Sequence, residues 1–109
     1  MPRFNSELGL LGLLGYRVGE NGLPTQRRRK IISKVIVIPT EMVESATRVL
    51  HRSVDNIHEW GEAGSRKRIH KLVRTLEAFI SLNEDNPSKN EAVRNWSSDL
   101  SWTRMTFLS

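Results

Sequence analysis

Two runs of basic side chains carry the clearest chemical signal in this sequence. Arg27, Arg28, Arg29 and Lys30 are consecutive, and Arg66, Lys67, Arg68, Lys71 and Arg74 follow one another with no acid until Glu77. Guanidinium and ammonium groups are donors without acceptors, and phosphate is the partner they suit best. By segment the charge is +5 over residues 24–39, −3 over 40–64 and +4 over 65–80. Clustering of this kind points to a directional electrostatic surface more than the net charge of +5 does.

Both runs fall where helices are expected to begin. The macrodipole and the free N–H groups of a helix start favour anions by roughly 0.3–1 kcal/mol per charge, so cations there work against the free helix. An anion docked at each start would account for the placement, and a phosphate is the expected one. These nine basic residues are therefore the expected nucleic-acid contacts. Backbone binding is expected, since no base-reading motif is present.

Other chemistry finds little support. His51, His58 and His70 lack HExxH spacing, and His58-Glu59 is a pair without a third ligand. Glu41 with Glu44, or Asp55 with Glu59, are carboxylate pairs at helical spacing, which read as solvated faces. No serine sits in a nucleophile elbow, and the absence of cysteine removes thiolate chemistry and disulfides. The chain is expected to be no enzyme and to hold no metal or cofactor. A cysteine-free sequence suits a reducing compartment, and the cytoplasm is the expected location.

The elements that must position the basic runs are helical. Gly64 to Asn83 shows the strongest pattern: Ser65 is a good N-cap, and Ile69, Leu72, Val73, Leu76, Phe79 and Ile80 recur on one face. Pro24 opens an earlier helix, with Ile31, Ile32, Val35 and Ile36 as its buried stripe. The run Val35 to Ile38 also has strand character, but without a partner strand it is expected to stay helical or leave extended before Pro39. Thr40 caps a third helix whose inner face is Val43, Ala46 and Leu50, continuing toward Val54. Ser53 to Trp60 is expected to be a short helix or turn inserting Ile57 and Trp60. The last helix spans Ser88 to Thr106, with Ser88 and Glu91 as a capping box and Val93, Trp96, Leu100 and Phe107 on one face.

Residues 1–23 read as a short helix, Ser6–Leu14, closed by Gly15 and followed by a glycine-rich loop that Tyr16 and Val18 pin to the core. The spaced glycines at 9, 12 and 15 suit close helix packing, since neither a preceding strand nor a following Lys-Ser or Lys-Thr makes them a phosphate loop. Glu7 interrupts the N-terminal apolar run, so no signal peptide is expected. Nothing approaches the ~20 apolar residues of a membrane span. The 109 residues are thus expected to form one all-α domain, a compact bundle of four or five helices, with 24–109 as the bundle proper. Its core is expected to unite Leu72, Leu76, Phe79, Ile80, Trp96 and Leu100. The spacing does not fix an oligomeric state. Trp102 lies off the last helix's stripe, either as a second packing contact or as an exposed aromatic for a partner.

Three motifs in order carry a resemblance across nearly the whole chain. They are Leu14-Gly15-Tyr16-Arg17-Val18-Gly19 with Gly22-Leu23 and Arg28-Arg29-x-Ile31-Ile32; Trp60-Gly61-x-x-Gly64-Ser65-x-x-Arg68-Ile69; and Trp96-x-x-Asp99-Leu100-x-Trp102. With them the chain resembles a small bacterial domain found at the C-terminal ends of proteins and carrying no assigned activity. The resemblance implies a helical fold and a bacterial origin, and no function. It departs at Arg27, where an acid is expected, and at Ala63, where proline is common.

The expected function is therefore a non-catalytic nucleic-acid-binding module. The alternative is a helical protein-protein adaptor, or a subunit of a larger bacterial assembly, with Trp102 and the Leu-rich N-terminal segment as contacts. A lipid surface is a weaker fit, because no large apolar face accompanies the charge.

Overall fold

The computed structural model describes residues 9–50 and 57–109. Among these residues five helices run in order: α1 (Gly9–Leu13), α2 (Thr25–Val37), α3 (Thr40–Leu50), α4 (Arg66–Asn83) and α5 (Asn90–Phe107), with 3-10 turns at Ile57–Trp60 and Pro87–Lys89. No strand occurs among the described residues, and the all-α expectation holds. Among them no helix is long and apolar enough to cross a membrane. The start of the first helix at Ser6, the extension of the third to Val54, and the opening of the Ser53 turn lie outside the described residues.

The core is built on the hairpin of α4 and α5, with Leu10, Leu11, Tyr16, Ile32, Val35 and Val43 from the earlier elements closing it. Leu72 and Leu76 are sealed from solvent, and Phe79 meets Trp96 with ring centroids 5.5 Å apart. Phe79 pairs with Trp96 and, farther from the turn, Glu77 with Arg104, so the two helices run antiparallel. Of the six residues expected at the centre, Leu72, Leu76, Phe79, Trp96 and Leu100 are buried, and Ile80 packs half-buried against them.

The helix ends follow local chemistry. Ser65 caps α4 as expected, its hydroxyl accepting from the Arg68 N–H at 3.1 Å. Gly15 closes α1 with φ at +92°. The Gly15 N–H donates to Gly12 O and the Tyr16 N–H to Leu11 O, each at 3.0 Å, the paired bonds of a Schellman motif. That turn drives Tyr16 inward. Ile38 leaves α2 extended, so the strand-like run ends as a helix with an extended exit.

The start of α5 differs from the expected capping box. Asn86 takes the capping role, accepting from the Ser88 N–H at 3.1 Å and its hydroxyl at 2.8 Å, and Pro87 folds the following residues into a 3-10 turn. The helix proper begins two residues later, at Asn90, and Glu91 pairs with Arg94.

Candidate nucleic-acid interface

The nine expected contacts divide by which side of their helix they occupy. Arg28 lies four residues before Ile32 and seven before Val35, in phase with the buried stripe of α2. It is 3% exposed. Its Nε and Nη2 donate to the two oxygens of Asp99 at 2.7 and 3.2 Å, and its Nη1 donates to Leu23 O at 2.8 Å. Asp99 is itself sealed and accepts a further bond from the Tyr16 hydroxyl at 2.7 Å. The anion that the start of α2 lacked in sequence is therefore a carboxylate from α5. Burial first, and then the Asp99 charge, push the Tyr16 phenol far above its ordinary range.

Arg68 repeats the arrangement at the other end of α2. It lies four residues before Leu72 and is fully buried, with no ion pair among the described residues. Its Nη1 donates to Val35 O at 2.9 Å and Ile38 O at 2.8 Å, and its Nη2 to Gly61 O at 2.9 Å. Longer bonds from Nε to Gly61 O and from Nη2 to the Thr40 hydroxyl use its remaining donors. The last carbonyls of α2 are the negative end of that helix, so a cation misplaced for α4 is well placed for α2. Desolvation lowers the affinity of this guanidinium for its proton. The Gly64 N–H, donating to Ile36 O at 2.6 Å, fixes the same junction.

Arg28 and Arg68 are thus corrected from surface contacts to interior ties. Both fall in register with the apolar stripe of their own helix, a register that Arg29 and Arg66 share at its edge, so the element packed alongside decides which is buried. Asp99 could be found the same way, three residues after Trp96 and four before Thr103, both buried. Tyr16, Arg28 and Asp99 join α2, α5 and the loop after α1, and Arg68 ties α4 to the end of α2.

Two further cations are partly engaged. Lys71 stands 3.7 Å from a Glu59 oxygen and 5.8 Å from the Trp60 ring centroid. Arg29 lies over Trp102 at 5.3 Å and donates to the Ser98 hydroxyl at 3.2 Å. Trp102 is half-buried, edge-to-face with Phe107 at 5.6 Å, so it makes a packing contact between α2 and α5.

Arg27, Lys30, Arg66, Lys67 and Arg74 remain exposed without an ion pair among the described residues. Lys34, counted only in the segment charge, joins them. Arg27, Lys30 and Lys34 follow i, i+3, i+7 along the solvent face of α2 and span about 10 Å. The α4 group begins near where α2 ends, about 14 Å along the axis from Arg28 and about 5 Å from Lys34. The α2 stripe thus runs toward the end of the helix at which the α4 group begins.

No family model matches the chain, and neither curated proteins nor solved structures gave a match. A cleft of about 580 Å³ between the Val18–Asn21 loop and the start of α5 mixes Glu20 and Glu91 with Lys89 and Arg94, so it favours neither sign of charge.

Proposed function

We propose that this domain binds the sugar-phosphate backbone of nucleic acid through the outward stripe Arg27, Lys30 and Lys34, with Arg66, Lys67 and Arg74 as a second patch. The observation that carries the reading is the α2 stripe: three exposed cations, no acid within residues 24–39, and no ion pair to any of them among the described residues. Phosphates follow one another at about 3.4 Å of axis per strand, so a stripe of about 10 Å matches some three of them. Binding of this kind is driven by counterion release and is weak in sequence preference. A fluorescence anisotropy titration with a mixed-sequence oligonucleotide tests it: affinity falls steeply between about 50 and 200 mM salt, and the Arg27→Ala/Lys30→Ala/Lys34→Ala variant binds far more weakly.

The adaptor reading has its own observation, in α3 and not in the contacts first expected. Leu10 and Leu11 are buried, and Trp102 is packed, whereas Met42, Val49 and Leu50 are more than half exposed. With Ala46 they form one apolar arc of which only the flanking Val43 is buried. A helical partner covering that arc would be insensitive to the α2 triple variant and sensitive to Val49→Asp.

A further inference from the structure

We infer that Arg29, seated over Trp102, is a stacking platform for an unpaired base, which makes the ligand single-stranded nucleic acid. The inference rests on the backbone-binding reading and adds the ligand class to it.

Among the described residues Arg29 is the member of its cluster held beside an aromatic ring. Its guanidinium carbon lies 5.3 Å from the Trp102 centroid, and its Nη2 donates to Ser98 at 3.2 Å, so the group is anchored from α5 at two points. Phe107, edge-to-face with Trp102, holds the ring in turn. The charge of Arg29 is met only at long range by Asp99. Its Nε is 4.0 Å from the nearer Asp99 oxygen, both oxygens of that carboxylate already accept from Arg28, and the buried Nε has no hydrogen-bond partner. About a third of the side chain, 32%, stays open to solvent.

Arg27 and Lys30 flank this platform in sequence and belong to the phosphate-binding stripe. Unpaired bases stack on guanidinium planes and aromatic rings, and a cationic track beside such a platform is the arrangement that single-stranded ligands use. A duplex has its bases already stacked and gains nothing from it. An arginine that merely covers Trp102 would show no preference between the two forms.

The test compares a short mixed-sequence DNA single strand with the corresponding duplex by anisotropy at about 50 mM salt, using the whole chain. Arg29→Lys keeps the charge and loses the planar group. The expected result is a loss of about fivefold in single-strand affinity, the low end for one stacking contact, with duplex affinity and salt slope unchanged. Ser98→Ala, at an exposed position, frees one end of the guanidinium and shifts single-strand affinity in the same direction, which keeps the test valid should Arg29→Lys unfold. Equal losses for both forms, or no loss for either variant, would overturn the inference and leave backbone binding standing. No binding of either form by the wild-type chain would overturn backbone binding, and the inference with it.

Discussion

Arg28 of α2 and Asp99 of α5, 71 positions apart, meet as a bidentate ion pair sealed from solvent, with contacts of 2.7 and 3.2 Å. Two desolvated charges are worth keeping only when each is fully engaged. Here Leu23 O takes another Arg28 donor and the Tyr16 hydroxyl takes another lone pair of Asp99, so the pair joins α2, α5 and the loop after α1.

Asp99→Asn leaves the Arg28 charge buried without a counter-charge and is expected to destabilise by about 3–5 kcal/mol. In a domain of this size that lowers the melting temperature by well over 10 °C, on the order of 4–8 °C per kcal/mol. Replacing both partners, Arg28→Met with Asp99→Leu, should cost less than Asp99→Asn alone. Thermal melts followed by circular dichroism read both. A single variant that melts with the wild type would show that the pair does not hold the helices.

Tyr16 gives a pH test, and as the only tyrosine it can be watched alone by phenolate absorbance. The folded state raises its pKa above the ordinary value near 10, so between the unfolded and folded values the native chain keeps a proton that the unfolded chain loses. Its contribution is therefore complete below about pH 10 and declines above it, by up to about 1.4 kcal/mol per pH unit. Phenolate absorbance is expected to appear only as the helices melt. Tyr16→Phe should start less stable and lose that part of the alkaline dependence; a phenolate titrating near pH 10 in the folded chain would contradict the geometry.

Arg68→Lys is expected to fail as a conservative change. A point ammonium with three donors cannot reach Val35 O, Ile38 O and Gly61 O together, and each buried carbonyl left unpaired costs about 1–3 kcal/mol. Chemical denaturation of Arg68→Lys and Arg68→Ala should give similar large losses. Near-wild-type stability of the lysine form would mean that charge alone, and not the planar fork, closes the end of α2.

The apolar skeleton was legible because its signals are local. Ser65 before a cationic first turn, the register of Leu72 and Leu76, and Gly15 after a Leu-rich run each follow from spacing within one helix. The division of labour among the arginines was not. Arg28 and Arg29 are the same residue type at adjacent positions, and only the side of α2 that meets α5 decides which one is buried. Asp99 reads as an ordinary polar residue in a helix until its phase with Trp96 is matched to an arginine on another element. Long-range pairing of charges leaves no mark in the spacing of either partner, so the positive helix starts invited an external anion where the fold supplies Asp99 and the carbonyls of α2.

The exposed cations of α4 still oppose its dipole, since no acid lies in its first turn. Arg66→Ala with Lys67→Ala is expected to leave the melting temperature unchanged or slightly raised, by the equivalent of roughly 0.3–1 kcal/mol per charge at most. A clear fall in melting temperature would assign those two side chains a structural role.

The most direct test of the account is the slope of log K against log salt for a single-stranded oligonucleotide, measured for the wild type and for Arg27→Ala/Lys30→Ala/Lys34→Ala. Each phosphate neutralised contributes about −0.7 on a single strand, so removing the stripe should flatten the slope by about 2 while the melting temperature holds. An unchanged slope, or no binding at about 50 mM salt, would contradict the assignment of the α2 face to nucleic acid.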